Sequence, residues 1–330
     1  MLVYQNWEAI DAELRKRYGD VPRLEWTPPV PYRPMGPQPM GPFVTNLIAA
    51  YPRTEPVPHW HLIGYALTAP FEERGYEFTL RVPRDPGRDQ TPPNWAMHQM
   101  ERLASYVSRT GNDFAAGHFI EHPDPLDPDV PDSAIRAGGF VPDPELGELE
   151  TAIGRITFLQ FVGITTEELH AAQAWNVQGV LGALRHHLPM LITDLHRSSL
   201  AHLPDVAQAV EEGARREGSG TGYLFLHQLD ARVGEQTGDV QVIMGAQHVP
   251  QFTRVLPGRI PHGIPLILQA RTRPPVVFLP GEEFACNDTP EALEIVIPAD
   301  AGRRLAAEVA PEPGDYRIPS LPRLTITVTP

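Results

Sequence analysis

Two histidines flanking a tryptophan, His59-Trp60-His61, are the pair in this sequence whose spacing best suits chemistry. In a strand, residues i and i+2 project to the same side, so the two imidazoles could share a metal ion and, with a carboxylate, make a metal-dependent hydrolase. Spacing identifies no third ligand. His118 and His122 stand four apart, but proline follows His122 and no helix is expected there; the adjacent His186 and His187 would diverge on a helix. H-E-x-x-H is absent, and so is G-x-S-x-G, the turn that presents a nucleophilic serine. The single cysteine, Cys286, lies among Glu282, Glu283 and Asp288, which oppose thiolate formation. Asp124, Asp127, Asp129 and Asp132 lack the glycine and terminal glutamate of an EF-hand and read as solvated loop acids. No catalytic residue, metal or cofactor is expected. Ordinary hydrogen-bonded histidines are the favoured reading, and the His59/His61 hydrolase is the alternative.

Acids and a histidine also crowd one junction, Glu167, Glu168 and His170, inside the stretch Arg155 to Asn176. Ile156 to Ile164 is apolar on both faces, the mark of a central strand covered from two sides. Thr165 stands three residues before Glu168, the spacing of a capping box, so this pair is expected to start a helix rather than to move protons. Around that junction the pattern predicts a first helix over Gln5 to Tyr18 and an extended proline-loaded segment from Trp26 to Pro42. Strands are predicted over Phe43 to Tyr51, His59 to Leu67 and Tyr76 to Val82, with a turn at Glu72 to Gly75 before the last. In that last strand Phe78, Leu80 and Val82 alternate with Glu77, Thr79 and Arg81, so one face should be wet. A helix follows over Trp95 to Thr110, then a short strand within Phe114 to Glu121 and a proline-rich acidic loop to Asp132. Met190 to Leu195 reads as a strand, Leu203 to Arg216 as a helix, and Tyr223 to Ala231 as a closing strand. From Asp239 on, short apolar runs alternate with proline and glycine turns, Phe252 to Leu256 among them, and Asp300 to Val309 is the clear helix. The organisation is α+β in two domains, residues 1–236 holding a mixed sheet with helices and residues 237–330 a smaller β-rich part.

A net charge of −14 argues against a general binder of nucleic acid or anionic membrane, which needs clustered lysine and arginine, and suits a basic protein partner. Lys16 is the only lysine among 27 basic residues, a bias read as the mark of a GC-rich, bacterial genome. One cysteine excludes a disulfide framework within the chain and a cysteine-based zinc site. The amphipathic, acid-bearing start and the lack of a long apolar run lead to the expectation of a cytoplasmic protein.

Several segments in order resemble the suppressor of fused family. They are His59-Trp60-His61, Phe78 to Arg81, Pro93 and Trp95 with Leu103, Ala104, Tyr106, Val107 and Phe114, Thr157 to Gln160, Val162-Gly163, Thr166 to His170, Gln173 with Trp175-Asn176, Leu191 to Leu195, and Leu256 to Gly263. The resemblance spans nearly the whole chain. It implies a non-enzymatic, two-domain suppressor-of-fused-like fold that grips an extended peptide between its domains by adding it as a strand. For a bacterial-type member it implies an immunity protein that neutralises a toxin. Tyr106 matches a tyrosine at the animal binding surface. Gly117-His118 stands where the animal proteins have Gly-Asp, whose aspartate helps hold the basic end of their peptide, and the long polar insertion between the animal domains is missing. The fold and binding mode are therefore expected to carry over, with Tyr106, Gly117 and His118 at the contact, but not the animal partner.

Overall fold

The computed structural model describes residues 5–27, 47–68, 74–151, 154–234, 236–271 and 273–330. Most of the proline-loaded segment, the start of the strand expected from Phe43 and part of the turn at 72–75 lie outside them. The chain divides into two compact units, one made of Met1–Leu169 with Leu181–His202, the other of His170–Val180 with Leu203–Pro330.

In the first unit α1 (Gln5–Tyr18) precedes β1 (Leu24–Trp26), β2 (Ile48–Arg53), β3 (His59–Gly64) and β4 (Tyr76–Pro83). Then come α2 (Asn94–Thr110), β5 (Phe119–Glu121), β6 (Ile135–Pro142), β7 (Glu148–Thr151) and β8 (Gly154–Thr165). The sheet runs β1-β2-β3-β4-β8-β6-β5, with β7 folded back on β8. Only β4 and β8 pair in parallel among these strands. The central strand expected from the apolar run is β8, buried at every position from Phe158 to Thr165. Its alternate side chains feed two cores. Leu159 and Phe161 join Phe78, Phe140 and the α2 residues Met100, Leu103 and Val107. Ile156 and Phe158 join Ile10, Leu14 and Tyr18 of α1. Each such apolar side chain contributes about 1.5–3 kcal/mol of burial free energy.

Because both faces are covered, the face of β4 expected to be wet is dry: Glu77, Thr79 and Arg81 are all buried. They are tolerated there because each has partners. Asp143 accepts from both terminal nitrogens of Arg81, at 2.6 and 3.0 Å, and from the Thr79 hydroxyl at 2.7 Å. It also accepts from His61 Nε2 at 3.1 Å and from the backbone N–H groups of Glu145 and Leu146, each at 2.9 Å. Arg81 donates further to Glu145 at 2.8 Å and to Gln160 at 2.7 Å. The Gln160 amide in turn donates to the carbonyls of Met190 and Leu191, at 3.0 and 3.1 Å.

That last contact falls on a segment expected to be a strand. Pro189–Leu191 is instead a short 3-10 turn with Met190 and Leu191 at φ 55° and 53°. This left-handed backbone is costly for side chains with a Cβ, and the Gln160 amide helps to hold it. A second unforeseen element is β6, whose Gly138-Gly139 pair sits in mid-strand. A Cβ on Gly138 would lie 1.8 Å from the Phe161 ring, so glycine is there to admit the ring.

After β8 come α3 (Thr166–Ala174), α4 (Val177–Leu184) and α5 (Pro204–Glu217). The capping box opens α3 as expected: Thr165 N–H donates to Glu168 at 2.9 Å and Glu168 N–H to the Thr165 hydroxyl at 3.3 Å. Glu168 also takes both terminal nitrogens of Arg197, each at 2.6 Å.

In the second unit β9 (Tyr223–Phe225), β10 (Leu229–Val233) and β11 (Val240–Gly245) precede α6 (Val249–Val255). Then follow β12 (Leu266–Gln269), β13 (Val276–Gly281), β14 (Ala285–Asp288), β15 (Leu293–Pro298), α7 (Ala299–Glu308), β16 (Gly314–Tyr316) and β17 (Leu324–Thr329). Two sheets result, β10-β11-β17-β16 and β14-β15-β13-β12-β9. The closing strand expected over Tyr223 to Ala231 is two strands, broken at Leu226–Gln228 and shared between these sheets. The division drawn from composition at 236/237 falls between β10 and β11, which pair with each other. Phe252 to Leu256, expected as a strand, is helix: Pro250 enters the first turn, and Phe252, Val255 and Leu256 follow the i, i+3, i+4 stripe into the core.

Replacing Asp143 with Asn should lower the unfolding free energy by about 3 kcal/mol, because the buried guanidinium loses its two-nitrogen counter-charge and keeps only the partly exposed Glu145. Urea denaturation at neutral pH measures it. The double change Arg81→Met with Asp143→Leu should recover part of that loss; a fully additive loss would show that the pair does not act as a unit.

Candidate functional site

Helix α2 ends where Gly111 takes φ 73° and its N–H returns to the Val107 carbonyl. One turn earlier Tyr106 stands 38% exposed, one of few large hydrophobic side chains left at the surface among the described residues. Its ring packs on Phe114 at 5.4 Å between centroids, and Phe114 packs on Phe140 of β6 at 4.3 Å. The Asn112 amide donates to the Tyr106 hydroxyl at 3.3 Å. The loop between is pinned by Asp113, which pairs with Arg74 and accepts from the Tyr76 hydroxyl at 3.2 Å. Tyr76 accepts in turn from the Phe114 N–H at 3.2 Å.

Gly117 and His118 together oppose one residue of β6. Gly117 N–H donates to the Phe140 carbonyl at 2.8 Å, and Phe140 N–H returns to the His118 carbonyl at 3.0 Å. This is a β-bulge, and Gly117 is required at its φ of 93°. It leaves the His118 side chain exposed, with its Nδ1 accepting from Ala115 N–H at 3.3 Å. Strand β5 follows at once. His122 N–H bonds the Arg136 carbonyl, so by antiparallel alternation Phe119 is at a position directed away from β6. Among the described residues β5 is the last strand of its sheet. Tyr106 is thus linked through Phe114 and Phe140 to the Gly117-His118 bulge that precedes the edge strand. Sequence reasoning passed over Phe114 as a connector, since its role depends on the non-local contact with Phe140.

A second edge closes the five-stranded sheet of the other unit. In β9 Leu224 is buried, whereas Tyr223 and Phe225 are 59% and 72% exposed. Their spacing could have marked one face of a strand, but nothing in the sequence says that the face is uncovered.

His59 and His61 both lie on buried β3. His61 has both ring nitrogens engaged, Nε2 with Asp143 at 3.1 Å and Nδ1 with the Tyr18 hydroxyl at 2.6 Å. His59 donates from Nδ1 to the Val57 carbonyl at 2.8 Å. Among the described residues no group of three His, Cys, Asp or Glu side chains is placed to hold a metal. His61 thus belongs to the buried network around Asp143, whereas His59 bonds its own strand entry at Val57. Burial and then the nearby Arg81 push His61 down to about 4. Burial would raise Asp143, but His61 and Arg81 overcome it and hold that carboxyl well below its usual range. Burial raises Glu77 to about 7, against the N–H groups of Ala66 and Thr68 and the Thr68 hydroxyl that bond it.

A model of the family described as suppressor of fused protein (SUFU) matches residues 45–198. The human and mouse suppressor of fused homologs are each 33% identical over 232 residues, 64% of this chain and 47% of their own length. The chain thus spans about half the length of these curated relatives. The crystal structure of Drosophila Suppressor of Fused superposes with a TM-score of 0.77 at 18% identity, covering 98% of this chain and 96% of that one. A chain of the Sufu-Fu complex crystal structure superposes at 0.51 with 23% identity, covering 62% of this chain and 96% of that one. The mixed sheets and seven described helices define the α+β fold of the suppressor of fused proteins. The match over residues 45–198, the 33% identity and the shared fold support a suppressor of fused domain in this chain. No helix among its described residues is long and apolar enough to cross a membrane.

The shifts fix a pH dependence. A folded-state pKa below the ordinary value, as for His61, contributes stability at neutral pH that is lost as pH falls from 6.5 toward 4. Glu77 acts in the opposite sense, because its raised pKa makes the folded state gain stability as pH falls from about 7 toward 4.5. Glu77→Gln removes that gain. Its loss of unfolding free energy between pH 7.5 and 5 should exceed the wild-type loss by on the order of 2 kcal/mol, read from urea curves at the two pH values. Equal losses would mean that Glu77 is ionised normally.

Proposed function

We propose that this chain is a non-enzymatic binding module that captures a polypeptide by strand addition. The observation that carries the reading is the edge strand β5, flanked by exposed Tyr106 and by the Gly117-His118 bulge. An edge strand offers main-chain groups for pairing, and an aromatic beside it offers side-chain selectivity. β9, with exposed Tyr223 and Phe225, is a second edge of the same kind. The family match supports the reading, since the Sufu-Fu complex is an assembly of a protein of this fold with a protein partner. The net charge of −14 favours a basic partner and disfavours nucleic acid or anionic membrane. The finer reading is a cytoplasmic immunity protein whose partner is a toxin. The hydrolase alternative loses support because the ring nitrogens of His61 already have partners.

The test is affinity capture from the producing cells, followed by titration of the identified partner. A one-to-one polypeptide complex is expected. Phe119→Pro deletes an outward N–H of β5 and should weaken binding at least tenfold without a matching fall in thermal midpoint; Tyr106→Ala should weaken it in the same direction. Undiminished binding by both variants would remove β5 from the contact. A cell-killing partner encoded beside this gene supports immunity, and a partner without such activity sinks that role.

A further inference from the structure

The break between β9 and β10 includes one backbone N–H that is held by a titratable side chain. At Leu226–Gln228 the chain leaves one sheet of the second unit for the other. Leu226 N–H is secured by the Gln269 carbonyl at 2.9 Å, a ladder-like contact. His227 N–H instead donates to Nε2 of His248 at 3.1 Å. An imidazole nitrogen accepts only when it carries no proton, so His248 must be neutral with its proton on Nδ1. Around it, Gln247 bonds the Gln228 amide oxygen at 3.0 Å, and Gly245 N–H reaches the Gln228 carbonyl at 3.3 Å. The Gln228 and Gln247 side-chain amides pack directly over Gly245, where a Cβ would lie 2.1 Å from the Gln228 amide oxygen.

We propose that His248 is a pH-sensitive latch: neutral, it fixes the bend after β9 and so the presentation of Tyr223 and Phe225; protonated, it releases the bend. Protonation turns the acceptor into a donor facing another donor, so the bond is replaced by repulsion. The Gln247 amide nitrogen lies 3.4 Å from the same Nε2 as a second donor, and the charged groups nearby are engaged elsewhere. His227, with its ring 6.1 Å from that of His248, is a second imidazole that opposes it. On β10, Asp230 is occupied by Arg273 at 3.2 Å and Arg232 at 3.7 Å. On α6, Arg254 donates to Gln173 at 2.6 Å, and β11 and β12 carry no charged residue. Burial also lowers the His248 pKa from 6.5, which sets release on the acid side of that value. The functional meaning rests on β9 as a capture edge, but the latch itself is measurable without a partner.

Hydrogen exchange of the purified full chain, corrected for the chemical exchange rate, tests it. Between pH 7.5 and 4.5 the His227 amide should lose protection at least tenfold, while the core amides of Val242 and Met244 hold theirs. His248→Gln keeps an acceptor that does not titrate and should abolish the pH response; His248→Ala should leave the amide unprotected at both pH values; His227→Gln should preserve the transition. A flat wild-type response, an equal loss at Val242 and Met244, or an unchanged response in His248→Gln overturns the latch. Failure of partner capture with an intact exchange response would count against the binding role alone.

Discussion

The buried bond between Asp143 and Arg81 is the constraint on which the first unit depends. Arg81 projects from β4, and Asp143 follows directly on β6. The two strands flank β8 on opposite sides, so this pair ties them together across the central strand. Charges taken out of water repay their desolvation only when geometry and further hydrogen bonds are good. Here Asp143 has six donors, and Arg81 reaches on through Gln160 to the left-handed turn at Met190 and Leu191. A sheet with apolar contacts alone would hold its layers; the network fixes where the strand ends and the following turn must lie.

Much of this was legible in the sequence because it is local. The run Ile156 to Ile164 marked β8, the Thr165–Glu168 spacing marked the helix start, and the pattern over Trp95 to Thr110 marked α2. Errors fell where a distant partner decides. Glu77, Thr79 and Arg81 alternate like a solvated face, and only the cover supplied by α1 and the acids of residues 143–145 makes it dry. Met190 to Leu195 has strand-like composition, yet Pro189 and the Gln160 contact turn it aside. Phe252 to Leu256 is too short for its period to be told from a strand, and Pro250 was the cue that favoured helix.

The candidate site was legible only through resemblance. Tyr106 is one more aromatic on a helix, and Gly117-His118 has no chemical signature; composition cannot tell that a strand has no neighbour. Strand edges are properties of topology, and both candidate edges here come at the ends of their sheet orders. The histidine motif that did look chemical is structural for the same reason. The ring nitrogens of His61 are answered by Tyr18 and Asp143, residues 43 and 82 positions away in the chain.

The bulge at Gly117 has an evolutionary consequence. Two residues share one opposing position, so the parity of β5 is set by its ladder with β6 rather than by counting from α2. The loop from Gly111 to Ala116 can then gain or lose residues while Phe119 keeps its orientation. Apart from Asp113 and Phe114, which hold Arg74, Tyr76, Tyr106 and Phe140, that loop is thereby free to change in length and sequence with β5 held constant behind it.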